Sequence, residues 1–166
     1  IIYAGDDGVH AGFNLVLGEK DSPSEDLDLQ VLYSYEAIEG MTITIFSGKI
    51  VATATDDGIN ANGGSTEDEE TYISISGGTL RIFNEGGNDA DGIDSNGDIL
   101  ISGGTIYISL VGTGSNNAVD YGSESGGVAE ISGGTIIACG ASSMAEAFDT
   151  SSTQASILYN TGTTDS

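Results

Sequence analysis

Positive charge is almost missing from this chain. Lys20, Lys49 and Arg81 are the only permanent cations against 26 acids, a formal net charge of −23 at pH 7. Phosphate binding draws on clustered Lys and Arg, so this balance excludes nucleic acid as a partner, and an anionic membrane surface with it. Tryptophan is absent, which removes the widest flat platform for stacking a sugar. The single cysteine, Cys139, rules out an internal disulfide. Its place in the apolar run Ile136-Ile137-Ala138-Cys139 predicts a buried structural thiol. One His and one Cys disfavour zinc. Helix signals are scarce; the one candidate, Ser143 to Phe148, is short and reads better as strand or turn. No apolar stretch reaches about 18 residues, so no membrane-spanning helix is expected. The chain opens without Met on Ile1-Ile2-Tyr3, in the middle of its own pattern, and reads as a processed or excised piece of a longer protein.

What is present is repetition. Ile-Ser-Gly-Gly-Thr occurs at 75–79, 101–105 and 131–135, with starts 26 and 30 residues apart. A fainter copy begins at Ile45. A period of this size marks stacked, similar units. A second repeat runs in step with the first. Six segments align on Val9, Ile38, Ile59, Ile93, Val119 and Phe148, each preceded by Gly or Ala, with an acid or amide one place further back and a polar residue after. Apolar residues make up 38% of the chain and alternate at period two, which excludes a disordered acidic chain and marks strands with one buried face.

These patterns predict an all-β fold, a parallel β-helix of about six coils with three short strands each, as a single domain over 1–166. A coil cannot bury its apolar face alone, whereas coils stacked at ~4.8 Å bury a continuous Ile, Leu and Val column. The Gly-Gly pairs at 77–78, 103–104 and 133–134 would bend the chain at φ values closed to other residues. An antiparallel sandwich is the alternative, weakened by the lack of two-residue hairpin turns outside Asn96-Gly97. Spacing after each acidic segment varies strongly, and an insert from Gly12 to Asp28 holds the sole proline, Pro23. Insertions on one face place the variable loops beside the acidic column.

Stacked coils set equivalent carboxylates about 4.8 Å apart, where two charges repel by about 3 kcal/mol at an effective dielectric of 20. Such a ladder calls for cations. Two oxygens on opposite sides of one Ca²⁺ are ~4.6–5.2 Å apart, which matches the coil spacing; Mg²⁺ is too small and too strict. The candidate metal ligands are Asp6, Asp7, Asp56, Asp57, Asp89, Asp91 and Asp94, with Glu36, Glu39 and Asp120 next. Gly8, Gly58 and Gly92 would let the backbone approach and offer carbonyl ligands. A single Asp-Gly pair is an ordinary turn, but copies in register are not. The run Glu67-Asp68-Glu69-Glu70 reads instead as a solvated loop.

Segments 35–40, 55–61 and 91–97, with Ala118-Val119-Asp120-Tyr121 and the stretch beginning at Ser143, resemble the calcium-binding, carbohydrate-binding β-helix family of clostridial surface proteins. The likeness runs from about residue 4 to 157. It implies a right-handed parallel β-helix of pectate-lyase-like shape, bound Ca²⁺, a secreted or cell-surface location, and acidic polysaccharide such as polygalacturonate as partner. Tyr33, Tyr35, Tyr72, Tyr107 and Tyr121 are candidate sugar contacts, although tyrosines beside strands commonly just pack. A pectate-type lyase is disfavoured: it needs a Lys or Arg base beside the metal, and Lys20 lies in the insert while Lys49 and Arg81 lie on strands away from the acidic column. No catalytic residue is assigned. Unpaired strand edges at the open ends of a β-helix would also suit a subunit of a calcium-stabilised surface filament, by self-association.

Overall fold

The computed structural model describes residues 1–21, 26–63, 70–84, 86–87, 89–111, 114–143 and 145–161. Pro23, Met144 and the acids Glu67, Asp68 and Glu69 lie outside the described residues. The strands are β1 (Ile2–Tyr3), β2 (Val9–Leu17), β3 (Asp28–Tyr33), β4 (Ile38–Ile45), β5 (Lys49–Ala54), β6 (Ile59–Ala61), β7 (Tyr72–Ile75), β8 (Thr79–Asn84), β9 (Ile93–Ser95), β10 (Asp98–Ile101), β11 (Thr105–Ser109), β12 (Val119–Tyr121), β13 (Ala129–Ile131) and β14 (Thr135–Cys139). One 3₁₀ turn, Ser123–Ser125, is the only helical element among the described residues.

Every strand pairing is parallel, which removes the antiparallel sandwich. One sheet runs β1-β3-β5-β8-β11-β14, one strand from each successive coil. The second carries the other two positions of the coil: β6, β9 and β12 stack on the first half of β4, and β7, β10 and β13 on its second half. In β4 these halves are one continuous strand, and β2 pairs along it with a bulge between Ala11 and Asn14. In later coils they are separate strands, with residues 62–71 between β6 and β7 and 122–128 between β12 and β13, so the segments of variable length follow the strands of the acidic column. The insert is shorter than the sequence suggested. Phe13 to Leu17 remain strand, because Leu15 is buried opposite Ile43.

The parallel β-solenoid has about four turns rather than six: β3–β4, β5–β7, β8–β10 and β11–β13. The two outermost copies of the repeat do not complete a coil. At one end β1 has only two residues. At the other, the segment after β14 makes rung hydrogen bonds (Asp149 N–H to the Ala129 carbonyl, 2.7 Å, and Gln154 N–H to that of Ile131, 3.1 Å) without becoming a strand.

The repeat phrase sets this geometry. Ile73, Ile99 and Ala129 stack in one buried row, and Ile75, Ile101 and Ile131 in the next. Across the core, Leu80 and Ile106 face them from the other sheet. The two glycines between have different duties. Gly78, Gly104 and Gly134 have φ of 88°, 87° and 89°, a left-handed bend that a Cβ would strain. Their predecessors make room: a Cβ on Gly103 would stand 2.2 Å from the Ser76 carbonyl oxygen of the coil below.

Cys139 is exposed, which corrects its expected burial. It pairs with the outward-facing Ser109, and among the described residues no further strand of this sheet covers β14.

Candidate functional site

The acidic column lies where the chain leaves the six-stranded sheet and enters β2, β4, β6, β9 and β12. Small residues let the coils close up here. A Cβ on Gly58 would stand 2.7 Å from the Gly92 carbonyl oxygen, and one on Gly92 2.5 Å from that of Ala118. Ladder hydrogen bonds run through this segment: Gly8 N–H donates to Glu36, Gly58 N–H to Asp91, Gly92 N–H to Asn117, and Ile59 N–H to Gly92. The glycines therefore serve close approach, and the Gly92 carbonyl expected as a cation ligand is engaged by Ile59 at 3.0 Å. The column's negative charge is carried by its side chains.

Those side chains collect in three groups, within each of which one ligand atom per residue lies within 4.8 Å of the others: Asp7, His10 and Glu39; Glu36, Asp56 and Asp57; Asp91, Asp94 and Asp120. Eight of the ten expected acids thus come together. Asp6 and Asp89 join none of these groups; both are exposed, and Asp89 sits at φ 80°, its N–H donating to Asn116 Oδ1 at 3.0 Å.

Burial gives the second and third groups their chemistry. Glu36, Asp57 and Asp91 are 8%, 7% and 5% exposed. Asp57 Oδ1 accepts the Asp91 N–H, and Asp91 Oδ1 accepts the Asn117 N–H, so each carboxylate is fixed by the next coil. Asn60 Nδ2 donates to Glu36 Oε1 at 2.9 Å. The opposite oxygens, Glu36 Oε2 and Asn60 Oδ1, are buried without a hydrogen-bond partner, and so is Asn117 Oδ1. Orphaned buried acceptors are costly. Here all are oxygens beside carboxylates, the donor set of a hard cation. The residues present fit a bound metal ion.

Removal from water pushes the carboxyls up, and their mutual repulsion adds to it. Glu36, Asp57 and Asp91 reach about 7, and Asp94 about 8. Asp120 and Glu146 are raised for the same first cause. In the first group the imidazole of His10 bonds Glu39 Oε2 and lies 3.4 Å from Asp7 Oδ2. That hydrogen bond, then the charge of Glu39, holds His10 above its ordinary value.

A family model described as "Carbohydrate-binding domain-containing protein" matches residues 25–166. The chain belongs to this carbohydrate-binding domain-containing family. The match takes in all of the second and third groups, while Asp7 and His10 of the first precede it. No curated protein and no solved structure matches the chain.

For a carbohydrate-binding domain the tyrosines matter, and they do not form one platform. Tyr35, half exposed, hydrogen-bonds Asp56 and so stands at the rim of the second group. Tyr121 packs on the core beside Asp120 and reaches Asp149. Tyr72 lines a shallow cleft with Glu70, Asn96 and Asp98. Tyr33 and Tyr107 belong to the six-stranded sheet. Sequence reasoning missed His10, Asn60 and Asn117. All three sit at column positions already aligned, and only their side-chain type kept them off the ligand set.

Proposed function

We propose that this carbohydrate-binding domain is an extracellular, calcium-dependent module for acidic polysaccharide such as polygalacturonate. The observation that carries the reading is the pairing of buried carboxylates with orphaned oxygens at Glu36, Asn60 and Asn117. A separation of no more than 4.8 Å among ligand atoms suits oxygens gathered around one Ca²⁺. When bound, Ca²⁺ supplies positive charge that protein and uronate carboxylates can share. Glu36, Asp56 and Asp57 would hold one ion and Asp91, Asp94 and Asp120 another, with Asn60 and Asn117 as neutral donors. Tyr35, fixed by Asp56, offers a ring at the rim for a sugar face.

Binding is favoured over catalysis by family membership and by where the strand cations sit. Lys49 and Arg81 lie on β5 and β8 of the six-stranded sheet, away from the carboxylate groups. Retention on immobilised polygalacturonate tests the reading. Binding in calcium that is abolished by chelator and by Asp57→Asn supports it; equal retention in chelator contradicts it.

A further inference from the structure

Acid is not spread evenly over this molecule. Strands β5, β8, β11 and β14 contain no Asp or Glu in a chain with 26 of them. The same strands carry Lys49 and Arg81, two of the three permanent cations. Their alternation turns one residue in two outward. In register across the rungs the outward rows are Asp28-Lys49-Thr79-Thr105-Thr135, Gln30-Val51-Arg81-Tyr107-Ile137 and Thr53-Phe83-Ser109-Cys139, so the one acid in these rows, Asp28 on β3, stands beside Lys49 and two rungs from the row position of Arg81. Phe83, Tyr107 and Ile137 are 39%, 40% and 57% exposed. The Arg81 guanidinium lies 6.0 Å from the Tyr107 ring centroid.

We propose that the outer face of β8, β11 and β14, centred on Arg81 and Tyr107, is a second carbohydrate site, one that takes uronic-acid chains directly, without metal. Its parts suit that ligand class. A guanidinium forks onto a carboxylate through two parallel N–H donors. Its stacking on Tyr107 pre-orients that fork. Phe83 and Tyr107 offer ring faces to the apolar faces of sugar rings, and the threonine row offers hydroxyls to theirs. The flat parallel rungs repeat at ~4.8 Å, comparable with the length of one hexopyranose, so successive sugars can meet successive rungs. Charge complementarity selects the occupant. A polyanion is repelled by most of a surface of net charge −23, and this face is where repulsion is least. At physiological salt, charges more than about 8 Å away are largely screened, so Arg81 answers mainly to the groups within that distance. The proposal rests on the reading of the chain as a binder of acidic polysaccharide, but not on the calcium sites.

The test is a calorimetric titration of tri-galacturonate, with its methyl ester as control, into the calcium-loaded protein. Arg81→Gln and Tyr107→Ala should each weaken binding by about tenfold or more and leave the calcium-induced melting shift as in wild type. The ester should bind wild type no better than the free acid binds Arg81→Gln. Unchanged affinity in both variants overturns the second site and leaves the calcium-site reading standing. Loss confined to Asp57→Asn does the same. No binding by wild type that still takes up calcium removes both carbohydrate readings. A dimer in sedimentation that Tyr107→Ala dissolves makes this face a contact between two copies, and also overturns the proposal.

Discussion

The buried carboxylates are the residues on which this molecule turns. Each of Glu36, Asp57, Asp91 and Asp94 pays for its burial when it ionises, and the repulsion of its neighbours adds to that cost. Neutralising one without changing its shape should therefore stabilise the metal-free protein. Asp94→Asn is expected to melt higher than wild type in chelator at about pH 8, where wild-type Asp94 is losing its proton. The same variant should respond less to calcium. A lower melting temperature in chelator would show that the Asp94 carboxyl is held by something other than metal. Cys139 offers a second check at this scale. Being exposed, it should react with a thiol reagent in the native protein at close to the rate of a free thiol. A rate that rises only on denaturation would bury it again. Its sequence context, three apolar neighbours, pointed inward; what the sequence could not show is that Cys139 falls in the outward row with Ser109, on the last strand of its sheet among the described residues.

Among the elements, the Gly-Gly bends and the Ile rows carry the stack. Gly103→Ala puts a methyl 2.2 Å from the Ser76 carbonyl oxygen, a backbone atom that cannot swing aside. It should cost about 2 kcal/mol or more, read as a lower denaturant midpoint. Gly12→Ala, whose Cβ would meet nothing within 4 Å, should change little and serves as control. Truncating Ile99, fully buried between Ile73 and Ala129, should cost about 2–5 kcal/mol by the same measurement. These strands were legible because Ile-Ser-Gly-Gly-Thr fixes strand, bend and core row together. The coil count was less so. Val9 and Phe148 match the column as sequence, yet neither sits in a complete coil, because completion depends on the strands flanking them.

The whole molecule separates charge by face. The column presents carboxylates in register, and the six-stranded sheet presents Arg81, Tyr107 and Phe83 without an acid on β5, β8, β11 or β14. The acidic column was legible, since its spacing survives in one dimension. The companion face was not, because Arg81 and Tyr107 are neighbours only once the coils stack. Buried acids with raised values bind protons in the folded state that the unfolded chain has already lost. Their stability contribution is full below the ordinary carboxylate range and declines as pH rises through about 7 to 8. Metal-free protein should thus melt at falling temperature from about pH 5 to about pH 8. Calcium should flatten or reverse that slope, because deprotonated ligands bind it more tightly. A melting temperature independent of both pH and calcium would leave the raised carboxyls without consequence.

Proton release on calcium binding bears most directly on the acidic column. Calorimetry at about pH 7, in two buffers of different ionisation enthalpy, reads the protons displaced as Glu36, Asp57, Asp91 and Asp94 become ligands. Calcium should bind and release about one proton or more per ion, with the release fading above about pH 9 and reduced in Asp57→Asn. Calcium binding with the same heat in both buffers, or no binding at all, would contradict a metal centre built on these buried carboxyls.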